Sequence, residues 1–142
     1  SSDVCSSDLE DYDVLGMGLV NEADLSTLIR NAALVVNPSV CEAGSGSGVD
    51  AWSNGCPVAL ADIPAFRDQV RFLGTQAEFF DPRDPRDTAR AILDVIRQPM
   101  GSKLAAEQSK AAMEKYTWAH VAGHYLAFFE RIIREKRPSR TL

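Results

Sequence analysis

The sequence is poor in the residues that staple small folds together or anchor chains in membranes. Its three cysteines, Cys5, Cys41 and Cys56, stand at spacings that match neither a zinc site nor a disulfide framework. We therefore expect a reducing compartment, and hence the cytoplasm. No run of about 18 apolar residues occurs, so no transmembrane segment is expected. With 142 residues, 45% of them apolar, the chain fits one ordinary globular domain.

Positive charge is nearly absent from the first part of the chain. The first 60 residues contain nine acidic side chains and a single base, Arg30, and the first lysine is Lys103. Such an acidic segment repels nucleic acid, so we expect no nucleic-acid partner. The basic residues collect near the C-terminus after an amphipathic stretch. They indicate a solvated helix end or, as the alternative, peripheral contact with the inner face of a membrane.

The first nine residues do not have the character of a folded segment. They read Ser-Ser-Asp-Val-Cys-Ser-Ser-Asp-Leu, without hydrophobic periodicity, a basic region or an initiating methionine. These features fit neither a signal peptide nor a first strand. The segment resembles the conceptual translation of a sequencing adapter joined to a coding fragment. We therefore predict a non-native segment at residues 1–9 and a partial domain at residues 10–142, the C-terminal piece of a longer protein.

After this segment, short apolar runs alternate with longer amphipathic segments, which is the pattern of βα units on a parallel sheet. Four strands are predicted, at residues 14–15, 33–37, 57–60 and 77–80. Six helices are predicted, at residues 21–30, 49–53, from Pro64, and at 84–98, 102–115 and 117–134. The fold class is therefore α/β, a Rossmann-like parallel sheet with a helical C-terminal end.

Two sets of apolar side chains are predicted to face the core of this fold. In the helix over residues 84–98 they are Ala89, Ile92, Leu93 and Ile96, because these residues share one helical face. The aromatic residues predicted for the core are Phe79, Phe80, Phe128 and Phe129.

The loop from Cys41 to Asp50 is the main candidate site. Ligands of open parallel sheets bind beyond the carboxyl ends of the strands, and this loop follows such a strand. Its residues 44–48 read Gly-Ser-Gly-Ser-Gly directly before a helix, where free backbone amides favour a phosphate. Glu42 and Asp50 flank these residues and can accept hydrogen bonds from hydroxyl groups. The combination suits a ligand that has both a phosphate and a sugar.

Each of these features also has a purely structural explanation. A Gly/Ser loop can simply be flexible, and Asp50 in the first turn of a helix can serve only the helix dipole. Asp62 either contacts the base or ribose of a ligand or caps the helix that begins at Pro64.

Other side chains with reactive groups are predicted to be structural. His120 and His124 lie one helical turn apart without an evident third metal ligand. Ser45 and Ser47 lack the sequence context of a hydrolase nucleophile. Cys41 and Cys56 are predicted to be small packing residues, since no neighbour would lower a thiol pKa.

The order of residues around the loop resembles the signature of family 4 glycosyltransferases (glycosyl transferases group 1): an acid, seven residues, a second acid, alanine, a short helix and Gly-x-Pro-Val. The matching residues are Glu42, Asp50, Ala51 and residues 55–58. Flanking segments agree in order and spacing, namely residues 34–39, 62–67, 79–84 and 116–118. The resemblance covers residues 13–134.

The resemblance implies the C-terminal half of a GT-B fold, in which two Rossmann-like domains face each other across the active site. It implies a nucleotide-diphosphate-sugar donor, glycosyl transfer with retention, no metal or other cofactor, and a partner domain, the N-terminal Rossmann domain. Glu42 would be the catalytic acid at the donor sugar hydroxyls. Retention would follow from departure of the diphosphate on the front face, so no nucleophile is expected. The donor-binding residues would be Gly44, Ser45, Gly46, Ser47, Gly48, Asp50 and Asp62.

The sequence departs from the family pattern at two points, so two alternative functions are also considered. Asp50 stands where the family usually has glutamate, which is one methylene longer, and the upstream basic pair that neutralises the donor diphosphate is absent from the chain. The alternatives are a non-catalytic GT-B-like module and a GT-B-fold sugar-nucleotide epimerase. The donor sugar, the nucleobase and the acceptor stay undetermined by the sequence.

The resemblance also predicts how the sheet is interrupted. Related domains have the strand order 3-2-1-4-5-6, and the predicted strands at 14–15 and 33–37 correspond to the third and fourth. The two strands between them are missing, so residues 14–15 either stay unpaired or pair non-natively beside the strand at 33–37. In both arrangements an apolar strand that is normally covered on both faces acquires an open edge.

Overall fold

A computed structural model of the protein describes residues 14–136, and the predicted non-native segment 1–9 lies outside the described residues. The elements are α1 (Glu22–Asn31), β1 (Val35–Asn37), α2 (Gly46–Asn54), β2 (Val58–Ala61), α3 (Pro64–Leu73), β3 (Glu78–Phe80), α4 (Pro85–Arg97), α5 (Pro99–Met113) and α6 (Trp118–Lys136). The expected α/β class, with a parallel sheet and a helical C-terminal end, is confirmed.

The three strands form a parallel sheet in the order β1-β2-β3. Val35 lies beside Val58, and Ala59 lies beside Glu78. Every residue of the central strand β2 is buried, whereas β1 at the edge is only half-buried. The predicted open edge of this strand is confirmed, because no strand within residues 14–136 pairs with the outer side of β1.

Local sequence signals determine where several helices begin and end. The side chain of Asn21 accepts a hydrogen bond from the Asp24 amide and caps α1. Gly55 ends α2 in the left-handed conformation, with φ of 71°, which favours glycine. Pro64 occupies the first turn of α3, where its missing N–H costs nothing. These three predicted boundaries are confirmed.

The predicted strand at residues 14–15 is wrong. The described residues before α1 have no strand partner, and Leu15 and Leu19 are exposed. Of the two arrangements considered for this segment, the structure shows the unpaired one. A two-residue apolar run supplies too few hydrogen bonds to form a strand once its neighbouring strands are absent.

The core lies around β2 and the helices that cover it. Trp52, Phe66 and Phe80 are its largest fully buried side chains. The indole N–H of Trp52 donates to the Gln76 carbonyl at 2.9 Å, and the Gln76 amide donates to the Ser109 hydroxyl at 2.9 Å. These hydrogen bonds connect α2 to α5 through the segment that enters β3.

The face that α4 turns toward the sheet differs from the predicted one. Ala91 is buried, whereas Ala89, Leu93 and Ile96 are exposed and Ile92 is half-buried. The Arg90 guanidinium group joins α4 to the sheet edge, because it donates to Glu78 of β3 at 2.9 Å and to the Phe79 carbonyl at 3.1 Å. These polar contacts lie outside any apolar pattern.

The start of α5 also differs from the prediction. The helix begins at Pro99, directly after α4, and Ser102 lies inside it rather than at its cap. The Ser102 hydroxyl donates to the Val95 carbonyl at 2.8 Å and so joins the two helices.

The last helix, α6, has no buried residue. Phe128 and Phe129 are therefore exposed, and their predicted place in the core is wrong, whereas Phe80 is buried and Phe79 half-buried. The Tyr116 hydroxyl, just before α6, donates to the Phe72 carbonyl at 2.7 Å. No element within residues 14–136 covers the apolar face of α6.

We predict that backbone amides of residues 14–20 exchange with solvent orders of magnitude faster than those of β2, because they have no strand partner. Hydrogen exchange of the purified chain, followed by NMR, measures both segments in one sample. Strong, uniform protection of residues 14–20 in a cooperative monomer would contradict the unpaired arrangement.

Candidate functional site

The candidate site lies where the three parallel strands end. β1 ends at Asn37, β2 at Ala61 and β3 at Phe80. Because the strands are parallel, the loops that follow them lie at the same edge of the sheet. Glu42 and Asp62 lie in two of these loops. This edge is therefore where a ligand would meet polar side chains.

The helix that follows the candidate loop begins earlier than predicted. α2 starts at Gly46 rather than near Val49, and Ser45 is its N-cap. The Ser45 hydroxyl accepts from the Gly48 amide at 2.9 Å, and the Ser45 carbonyl accepts from the Val49 amide at 3.2 Å. An α-helix offers no internal acceptor to its first amides, so those of Gly46 and Ser47 stay available for an anion.

Asn37 connects the end of β1 to the start of α2. Its side-chain nitrogen donates to the hydroxyls of Ser45 at 2.9 Å and Ser47 at 3.1 Å. Its side-chain oxygen accepts from the Ser39 amide at 3.1 Å. One amide side chain thus holds both ends of the loop between β1 and α2.

Gln69 of α3 holds the same loop from the other side. Its side-chain oxygen accepts from the Ser45 amide at 2.6 Å, and its nitrogen donates to the Ser45 carbonyl at 3.4 Å. The side chain of Ser45, 1% exposed, is enclosed between these contacts.

The three glycines of the loop meet different surroundings. A Cβ at Gly48 would lie 2.9 Å from the Ser45 hydroxyl and 3.3 Å from the Trp52 ring, so a larger residue does not fit there. A Cβ at Gly44 would make ordinary contact with Gln69 at 3.5 Å, and one at Gly46 would meet open space. Only Gly48 is therefore required by packing, and the backbone at Gly46 is open to a ligand.

The two acids of the motif are both exposed. Glu42 accepts from the Ser39 hydroxyl at 3.1 Å. Asp50 is the fifth residue of α2, and its carboxylate has no hydrogen-bond partner within residues 14–136. The interpretation of Asp50 as a first-turn residue serving the helix dipole is wrong, because the earlier start of α2 places it beyond the first turn.

Asp62 belongs to a separate cluster at the same edge. The Arg67 guanidinium donates two hydrogen bonds to its carboxylate, one of them at 2.6 Å, and stacks over the Phe79 ring at 4.5 Å. These hydrogen bonds hold the pKa of Asp62 below its ordinary value and raise the pKa of Arg67. The N-cap of α3 is Ile63, without a side-chain cap, so the predicted capping role of Asp62 is wrong.

The structure thus joins some of the predicted site residues and leaves others apart. Ser45, Ser47 and Gly48 share one hydrogen-bonded cluster, and Gly44 lies beside Gln69, whose side chain hydrogen-bonds Ser45. Glu42, Asp50 and Asp62 have no hydrogen bond to that cluster among the described residues.

Three residues of the site were missed in the sequence, namely Asn37, Arg67 and Gln69. Asn37 carried a signal, a polar side chain at the end of an apolar strand. Arg67 lies in the segment 62–67 that resembles the family, although no role was predicted for it, and Gln69 carried no signal.

The remaining reactive side chains are placed as follows. The rings of His120 and His124 lie 4.5 Å apart, and among the described residues no group of three or more His, Cys, Asp or Glu could hold a metal ion. Cys56 is buried, which raises the pKa of its thiol and confirms its packing role. Cys41 is exposed, so its predicted packing role is wrong.

The fold is shared with a solved glycosyltransferase structure. The chain superposes on sucrose-phosphate synthase from Thermosynechococcus elongatus with a TM-score of 0.72 at 16% identity, over 90% of this chain and 33% of that one. At this identity the likeness concerns the fold, which is part of the GT-B fold.

The sequence comparison is more specific. The family described as Glycosyl transferases group 1 matches residues 3–98, and the chain belongs to this family. D-inositol 3-phosphate glycosyltransferases from Mycobacterium avium (strain 104) and Mycolicibacterium paratuberculosis (strain ATCC BAA-968 / K-10) are each 30% identical over 82% of the chain. The chain spans 28% and 26% of their lengths.

The helices over residues 14–136 include none with the length and apolar character needed to cross a membrane.

The Asp62–Arg67 pair generates a titration prediction. Arg67 lowers the pKa of Asp62 in the folded state. The pair therefore stabilises the fold fully at pH values above 3.8, the ordinary pKa of the carboxyl group. This contribution is lost as the pH falls through the lowered pKa. We expect the Asp62 carboxyl carbon to titrate below 3.8 in the protein and to return toward 3.8 in Arg67→Met. NMR titration of that carbon measures both. Equal midpoints in the two proteins would contradict the pairing.

Proposed function

We propose that the chain is the donor-binding part of a retaining glycosyltransferase that takes a nucleotide-diphosphate-sugar donor. The observation that carries the proposal is the start of α2. There the free amides of Gly46 and Ser47 follow the carboxyl end of a parallel strand, and two exposed acids, Glu42 and Asp50, flank them in the sequence. Family membership supports the assignment, and the names of the related glycosyltransferases agree with it.

Each part of the donor would meet a chemically matched group. Glu42 would accept hydrogen bonds from the sugar hydroxyls, and Asp50 from the ribose hydroxyls. Amides at the start of α2 would bind the diphosphate that leaves, where fixed dipoles stabilise the growing negative charge. In this scheme the donor phosphates are held by backbone groups of this chain and by bases outside it, and no metal takes part. Transfer with retention then needs no enzyme nucleophile.

Asp62 would serve the base or ribose region rather than the phosphates, because its charge is matched by Arg67. The acceptor site would be supplied by an N-terminal Rossmann domain of the same protein, and the basic pair that neutralises the diphosphate by an upstream strand and loop outside this chain. We place this protein in the cytoplasm, with peripheral contact at the inner membrane face through the basic C-terminal residues as an additional proposal.

We predict that Glu42→Gln lowers turnover of the full-length protein by at least about 10-fold, because the carboxylate's charge-assisted hydrogen bonds to the sugar are lost. Asp50→Asn should mainly weaken donor binding and so raise the donor KM. Glu107→Gln on α5 and Asp68→Asn on α3 are the matched controls, since both residues are exposed and lie outside the motif. Steady-state kinetics with the donor varied gives both constants.

If Glu42→Gln and Asp50→Asn both had wild-type kinetics, the proposed donor contacts would be contradicted. Residues 44–48 would then have only a structural role. Donor binding without transfer in the wild-type protein would favour the non-catalytic module.

We also predict that residues 10–142 alone transfer no sugar, because the acceptor site and the basic pair lie outside them. An assay for release of nucleoside diphosphate from several nucleotide sugars, run beside the full-length protein, measures this. Turnover by residues 10–142 would show that the acceptor site and the basic pair were wrongly assigned to segments outside this range.

A further inference from the structure

Gln69 is the one side chain of α3 that hydrogen-bonds the loop before α2 in the described part of the chain. It reaches Ser45, 24 positions earlier, through both atoms of its amide group, at 2.6 Å and 3.4 Å. The partners are the backbone N–H and the backbone carbonyl of Ser45, so the contact depends on the position of the main chain rather than on a particular side chain there.

The part of α3 that carries Gln69 is anchored in the core. Phe66, one helical turn before Gln69, is 0% exposed and belongs to the core around β2. The Ser45 side chain is 1% exposed, so few water molecules can replace the amide of Gln69 as partner of this backbone. Movement of the Ser45 main chain would therefore break hydrogen bonds that the solvent does not readily restore.

Asn37 at the end of β1 holds different atoms of the loop from those that Gln69 holds. Asn37 donates to the hydroxyls of Ser45 and Ser47, whereas Gln69 holds the Ser45 backbone. The residue that follows Ser45 is Gly46, whose amide is the first free one of α2. Because the peptide group is rigid, the orientation of the Ser45 main chain determines where the Gly46 amide points.

We propose that Gln69 is a positioning residue of the donor site, a role that rests on the proposed function. It does not touch the donor. Its two hydrogen bonds hold the Ser45 backbone so that the Gly46 and Ser47 amides are oriented for the diphosphate before the donor arrives. Preorganised amides gain more from a bound anion than amides that must first be ordered.

The test compares Gln69→Met with Gln108→Met in the full-length protein. Methionine has a similar length but no amide, and Gln108 of α5 hydrogen-bonds Gln76 instead of the loop. We expect Gln69→Met to raise the donor KM about 10-fold, the loss expected for two neutral hydrogen bonds. The acceptor KM should stay near the wild-type value, whereas the melting temperature should fall by a few degrees because the buried Ser45 amide loses its partner. Gln108→Met should leave both KM values unchanged.

Hydrogen exchange provides a second measurement that needs no activity. The peptide spanning residues 38–45 should exchange faster in Gln69→Met and slowly again in Gln69→Glu, whose carboxylate oxygen can still accept from the Ser45 amide. If Gln69→Met fails to fold, the comparison of wild type with Gln69→Glu remains, and fast exchange in Gln69→Glu would overturn the proposal.

The outcomes separate this proposal from the proposed function. Wild-type protein that binds neither UDP nor GDP in calorimetry and transfers no sugar overturns both. Wild-type binding together with an unchanged donor KM in Gln69→Met overturns only the positioning role. Equal increases in donor and acceptor KM would also overturn it, because they indicate general support of the fold.

Discussion

The complete burial of β2 is the constraint on which the candidate site depends. All four of its residues are buried, and it pairs in parallel with a neighbour on each side. A strand in this position cannot shift by one residue without turning polar backbone or side chains into the core. Its position therefore fixes the ends of β1 and β3 beside it. Residues as distant in sequence as Asn37 and Gln69 then reach the same serine.

Features with local physical causes were predictable from the sequence. Asn21, Gly55 and Pro64 act within a turn of their own positions, and each marks a helix boundary where it was expected. Apolar runs of three or four residues between amphipathic segments were enough to predict the parallel sheet. The Gly/Ser loop was recognisable as a candidate site because its composition is unusual and its neighbours resemble a family signature.

Features that depend on distant residues were not predictable in the same way. Ser45 is one of several serines before α2, and its place as the cap depends on the Gly48 amide and on Asn37. Arg90 of α4 forms an ion pair with Glu78 of β3, a contact that the apolar pattern of the helix does not encode. Arg67 reaches the site edge through contacts with Asp62 and Phe79, and no periodic pattern encodes them. The roles of Glu42 and Asp50 toward a donor remain proposals.

The two tryptophans lie in opposite environments. Trp52 is 0% exposed and donates to the Gln76 carbonyl, whereas Trp118, at the start of α6, is 88% exposed. Their fluorescence should therefore differ, with Trp52 emitting at shorter wavelength and shielded from a dissolved quencher such as iodide. The chain thus contains two internal optical probes. Trp52 reports on the integrity of the layer behind the candidate site, and Trp118 on the environment of the start of α6.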